Sequence, residues 1–179
     1  MSSPTRRVAL LRGINVGAHR RIKMADLKAA LATLGHNEVA TVGVSGNVVL
    51  GGPVEADDIQ RLIEERCGVP DVRVLVRSGD ELEAVVAGNP WPERTSEGKL
   101  LHVTFLSADP AGEAKARVEA AVDGDDEVAW GDRALYIWYA GGTQGSAVAK
   151  VVTDRVLGVT ATDRNWNTVA KLLNLVRSR

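Results

Sequence analysis

Residues 8–17 read Val-Ala-Leu-Leu-Arg-Gly-Ile-Asn-Val-Gly, and the order of elements around them decides the fold. An apolar run that opens into a polar, glycine-containing segment reads as a buried strand ending in a loop. Met24, Leu27, Leu31 and Leu34 then recur at helical spacing, and Gly35 supplies the stop. Residues 38–44 and 47–50 are rich in β-branched and apolar side chains, and Ser45-Gly46-Asn47 between them has the composition of a tight hairpin turn. A second helix is expected over 55–67, with Ile59, Leu62 and Ile63 on one face. Val72, Val74 and Val76 alternate with Arg73, Leu75 and Arg77, which predicts an edge-like strand with a mostly polar outer side. The first half therefore runs β-α-β-β-α-β.

Ser78-Gly79-Asp80-Glu81 fits a capping box opening a short helix that Asn89-Pro90 closes. The second half repeats the order. A strand is expected near 100–106, a helix over 110–122, and strands near 127–130 and 134–139. The Gly-rich segment 141–146 leads into a helix reaching about Leu157, then a short strand at 159–162 and an amphipathic C-terminal helix carrying Trp166, Val169, Leu172, Leu173 and Val176. The expected fold class is α/β (α+β): two ferredoxin-like βαββαβ subdomains in tandem with an additional C-terminal helix. Residues 1–90 and 99–179 are the expected subdomains, with 91–98, which holds Pro92 and a polar run, as the linker.

Composition excludes several classes. With 45% hydrophobic and 25% charged residues, the 179-residue chain is ordinary globular material. Cys67 is its single cysteine, so no internal disulfide forms; a reducing, cytoplasmic compartment is expected, with Cys67 as a buried, inert thiol. No apolar run fits a signal peptide or a membrane span. A net charge of −1 argues against bulk nucleic-acid binding, but the first 25 residues hold Arg6, Arg7, Arg12, Arg20, Arg21 and Lys23 without an acid.

In a ferredoxin-like unit, strands 1 and 3 are antiparallel neighbours at the sheet centre, so Arg12 and Asn15 are expected beside Ser45 and Asn47. The same topology is expected to bring Ser146, in the Gly-rich loop, near Arg164, Asn165 and Thr168. These eight residues are the candidate ligand-binding set, suited to a small anion. A structural alternative stands beside it: Asn15, Ser45 and Asn47 also suit loop backbone groups, and Asn165 or Asp163 suits a helix N-cap.

Catalytic signatures are missing. The segment 141–146 lacks the Gly-Lys-Ser/Thr ending of a triphosphate loop, and Gly13 with Gly17 do not make a dinucleotide fingerprint. His19, His36 and His102 form no chelating pair, so neither a metal nor a cofactor is expected. Trp130, Tyr136, Trp138 and Tyr139 lack the glycine-aromatic signature of an RNA-recognition sheet and read as core.

The segments VALLRGINVG, SGNVVL and RNWNTVAKLL, with Met24 and Leu27 after the first, resemble the bacterial family called domain of unknown function 1697. The resemblance implies two ferredoxin-like subdomains in one cytoplasmic protein, with no assigned activity. Its motif positions fall on Arg12–Gly17, on Ser45, Gly46 and Asn47, and on Ser146, Thr162, Arg164, Asn165, Trp166 and Thr168. The chain departs from the family pattern at Val42, Val44 and Ala147, where an aromatic residue, a glutamine and a lysine are usual. Three functions follow as expectations. The first is a binding protein for a small anionic or phosphorylated ligand. The second is an enzyme using arginine and backbone donors, with Ser45 or Ser146 as nucleophile. The third is a nucleic-acid-binding module using the basic N-terminal stretch with Arg164, Lys171 and Arg177.

Overall fold

Strand and helix alternate along the chain as the periodicity predicts, in a computed structural model that describes residues 6–18, 20–36 and 38–178. His19 lies outside the described residues. The chain divides into two units, one formed by residues 1–83 with 171–179, the other by residues 84–170. Each unit contains one four-stranded antiparallel sheet with flanking helices, an α+β architecture with ferredoxin-like strand order.

The first unit contains β1 (Arg6–Arg12), α1 (Met24–Ala32), β2 (Val39–Val42), β3 (Asn47–Gly51), α2 (Ala56–Cys67) and β4 (Arg73–Ser78), in the sheet order β2-β3-β1-β4. Side chains alternate across the pleat. Ala9, Leu11, Val48, Leu50 and Val74 meet Leu27, Leu31, Ile59 and Ile63 in one buried cluster. Helix α2 starts with Asp57 and Asp58, favourable at the positive end of the helix dipole, and stops at Gly68, whose φ of +67° costs glycine little. Cys67 packs against this core half-buried; burial pushes its thiol pKa up and Asp26 adds to the rise, so it is held as the neutral thiol.

The polar outer side expected for β4 is not observed, since Leu75 and Arg77 are 6% and 4% exposed. Helix α3 (Gly79–Ala87) brings in the fully buried Leu82, and Leu175, near the end of α7 (Trp166–Arg177), lines a groove together with Val49. The capping box at the start of α3 is complete: Ser78 N–H donates to Glu81 Oε2 at 2.8 Å, and Glu81 N–H donates to Ser78 Oγ at 3.1 Å.

In the second unit a 3₁₀ helix (Pro92–Glu97) precedes β5 (Leu101–Leu106), α4 (Gly112–Ala120), β6 (Glu127–Gly131), β7 (Ala134–Trp138), α5 (Ala147–Val151), α6 (Asp154–Leu157) and β8 (Ala161–Asn165), in the sheet order β6-β7-β5-β8. The expected linker at 91–98 is thus folded, and Arg94 within it bonds Glu127 at 2.7 Å. The division between units falls inside α3 at Glu83–Ala84, and α7 carries the chain back to the first unit.

Two further expectations are corrected. The helix leading to Leu157 is broken, because Thr153 is extended at φ −132° and caps a new helix by accepting from Val156 N–H at 3.3 Å. The strand expected at 159–162 begins instead at Ala161 and runs to Asn165, which makes Asp163 and Arg164 strand residues.

Candidate functional site

Antiparallel pairing of β1 with β3 sets Leu10 opposite Asn47, and Leu11 N–H donates to Gly46 O at 2.8 Å, so the ladder runs to the hairpin turn and brings Ser45 alongside Arg12. Asn15 closes the two loops together. Its backbone takes φ +53°, its Nδ2 donates to Val44 O at 2.6 Å, and its Oδ1 accepts from Ile22 N–H at 2.9 Å. Asn47 is buried, and its Nδ2 donates to Val42 O at 3.0 Å. The first candidate set is therefore brought together, with the side chains of Asn15 and Asn47 committed to loop backbone and Arg12 half-buried beside the exposed Ser45.

On its other side β1 pairs with β4, and this register sets Arg12 directly opposite Arg73. Opposed residues of an antiparallel pair share a face with Cβ atoms about 5 Å apart, where like charges repel. Arg73 is exposed and makes no ion pair with a described residue. Arg20 joins this end of the sheet: its guanidinium lies against Gly13 and donates to Pro70 O. Arg21 and Lys23 are exposed on the same loop, and the exposed Asp71 is the acid beside Pro70.

The second candidate set is divided by the pleat of its sheet. Ser146 lies outside the strands as the N-cap of α5: its Oγ donates to Asp126 Oδ2 at 2.8 Å and accepts from Ala149 N–H at 3.3 Å. Asp126 also accepts from Ala140 N–H at 2.9 Å, so this hydroxyl–carboxylate pair closes a loop and caps α5. In β8, Arg164, opposite Val103, and Asn165, opposite His102, lie on opposite faces of the sheet. Burial pulls the Arg164 pKa down to about 10 against the opposing pull of Asp163, which leaves it a cation at neutral pH. Asn165 caps α7, its Oδ1 accepting from Thr168 N–H at 3.0 Å. Ser146 shares no hydrogen bond with Arg164, Asn165 or Thr168.

Residues 5–136 match the family described as protein of unknown function, DUF1697. The chain belongs to that family. The match holds the motifs around Arg12 and Ser45 and ends before Ser146 and Arg164. The conserved bacterial protein SP0830 from Streptococcus pneumoniae is similar in fold: its structure superposes with a TM-score of 0.69 at 22% identity, covering 97% of this chain and 99% of that one. No curated protein matches the sequence.

Two clusters of this DUF1697 chain carry no spacing signal in the sequence. His102 on β5 and Asp163 on β8 are 61 residues apart, yet Nδ1 and Oδ2 lie 2.6 Å apart; His102 Nε2 sits 3.0 Å from Lys99 O, and Thr104 Oγ1 donates to the other Asp163 oxygen at 2.9 Å. Both ring nitrogens thus face oxygen acceptors, an arrangement only the imidazolium satisfies fully. Burial pushes the His102 pKa down, but the hydrogen bond and charge of Asp163 and the Lys99 carbonyl outweigh it, and the net shift is upward. Tyr139 packs edge-on to this ring at 5.0 Å, and its hydroxyl pKa is raised by burial and then by Asp163 and Asp126. In the second cluster Arg94 stacks between Trp91 and Trp138, at 5.4 and 4.8 Å from the ring centres. Among the described residues no group of three His, Cys, Asp or Glu side chains is arranged to hold a metal, and no helix is long and apolar enough to cross a membrane.

Proposed function

We propose that this DUF1697 protein binds a small phosphate-bearing ligand at the loop end of the first sheet, between Arg12, Arg73 and the Ser45 turn. The observation that carries the reading is the direct opposition of Arg12 and Arg73 in the β1–β4 register. Two guanidinium forks on one face suit a phosphate that accepts from both. Arg20, Arg21 and Lys23 on the adjoining loop add to the positive field, and the Ser45 hydroxyl adds a neutral donor. Backbone closure of the two loops by Asn15 supports a preformed site, since the ligand then orders little chain on binding. The reading places the protein in the cytoplasm, supported by the single unpaired Cys67.

Isothermal titration and thermal unfolding with pyrophosphate, nucleotides and a short single-stranded oligonucleotide test it. A ligand at about a hundred times its dissociation constant adds about 2.7 kcal/mol, a rise of about 5–10 °C at this chain length. Arg73→Ala is expected to abolish that rise while leaving the ligand-free midpoint equal or higher, because a like-charge opposition is removed. No rise with any compound, or a rise that survives Arg73→Ala, defeats the reading. Tight binding of the oligonucleotide alone, with an affinity that falls steeply as salt rises, transfers the site to nucleic acid.

A further inference from the structure

We propose that the outer edge of β2 docks an extended peptide segment of another protein, which joins the first sheet as a fifth strand and sets one acidic side chain against Lys28. β2 is the terminal strand of the order β2-β3-β1-β4. Its backbone phase follows from one bond: Gly51 N–H donates to Glu38 O at 3.1 Å, and Val39, Ala40, Thr41 and Val42 follow in register against Leu50, Val49, Val48 and Asn47. Antiparallel hydrogen bonds alternate by residue, so Glu38, Ala40 and Val42 turn their N–H and C=O groups toward β3, and Val39 and Thr41 turn theirs outward. Among the described residues no strand lies beyond β2, and an open row of this kind is a template for another extended chain. The segment Val-Ala-Thr-Val carries neither the proline nor the lysine that commonly blocks an edge.

A groove of about 390 Å³, within the range of ligand sites, lies at the start of this strand, where Val39, Ala40, Val49 and Leu175 line it beside polar side chains. Its charges select the partner. Arg6 donates to Glu38 Oε2 through Nε at 2.9 Å and Nη2 at 2.8 Å, and through Nη1 to Leu175 O at 2.8 Å, so the Arg6 and Glu38 charges cancel in place. Lys28, exposed on α1, is the other cation among the described residues that line the groove, and its complement is one carboxylate. The backbone supplies affinity, and the apolar lining with Lys28 supplies the choice of side chains.

The test uses seven-residue peptides displayed on phage, selected on the full chain, then resynthesised and measured by fluorescence anisotropy. The expected winners alternate apolar side chains and carry one Asp or Glu. Thr41→Pro removes an outward N–H and leaves the bonds to β3 intact, as edge strands allow. It is expected to weaken binding about tenfold or more, from loss of one backbone bond and of close strand approach. Lys28→Glu is expected to reverse the preference for an acid. Should Thr41→Pro fail to fold, peptides N-methylated at alternate amides replace it against the unaltered chain, and one phase of methylation is expected to abolish binding. Failure to select any peptide, or winners insensitive to both Thr41→Pro and N-methylation, overturns the proposal. A dimer in sedimentation velocity that Thr41→Pro dissociates overturns it in favour of a second copy at the edge.

Discussion

Gly46→Ala is the sharpest test of how the first sheet ends. Gly46 has φ +87°, and a Cβ built on it would lie 2.6 Å from Leu11 Cβ and 2.9 Å from Ile14 Cδ1. A left-handed backbone costs a residue with a Cβ about 1–2 kcal/mol. Carbon atoms pack at about 3.5–4.0 Å, so the turn or Leu11 must move by about 1 Å. Leu11 is fully buried and its N–H is bonded to Gly46 O at 2.8 Å, so that movement disturbs the ladder and adds an overpacking cost of about 1–3 kcal/mol. The sum, about 2–5 kcal/mol, corresponds to a thermal midpoint lowered by about 4–20 °C, with faster hydrogen exchange at the Leu11 amide. Gly17→Ala separates the two costs, because Gly17 has φ +73° but nothing within 4 Å of a built Cβ. It is expected to lose about 1–2 kcal/mol, the backbone cost alone. A Gly46→Ala loss within about 0.5 kcal/mol of the Gly17→Ala loss refutes the steric argument, a gap set by the ordinary scatter of surface substitutions.

Three further outcomes are expected. The raised His102 pKa means that its pairing with Asp163 contributes fully below the unfolded value of about 6.5 and is lost as pH rises through the folded pKa. The stability deficit of His102→Gln is therefore expected to be greatest in mild acid and to shrink toward alkaline pH in denaturation curves; a deficit that grows with pH contradicts the assignment. Tyr136 Oη donates to Val85 O at 2.6 Å in a buried site, and Tyr136→Phe strands that carbonyl at a cost of about 1–3 kcal/mol, read as a lowered urea midpoint. Ser78→Ala opens the capping box of α3 and is expected to cost about 1 kcal/mol, with increased amide exchange at Glu81 as its local signature.

The elements of the first unit were legible because each carries its own period: the run Val8–Leu11, the helical spacing of Leu27 and Leu31, and the Ser45-Gly46-Asn47 turn. What stayed hidden depends on residues distant in sequence. Arg73 reads as one polar position of an alternating strand, and its opposition to Arg12 exists only once β4 has been set beside β1. The burial of Leu75 and Arg77 likewise cannot be read from an alternating strand, because it is set by packing outside β4. The break before α6 carries no proline or glycine; Thr153 makes it through a side-chain cap that competes with helix continuation. His102 and Asp163 sit on strands whose pairing brings them together, and neither residue type nor spacing announces it.

The discontinuity of the first unit orders events during synthesis. Residues 84–170 form one continuous stretch, whereas the unit begun at β1 lacks Leu175 and Ser178, the groups that Arg6 holds, until that stretch has been made. At ordinary elongation rates the delay is on the order of ten seconds. During that interval the Arg6 guanidinium lacks the Leu175 and Ser178 acceptors that it holds in the finished fold. The first unit is thus the portion completed last, although it is the portion translated first.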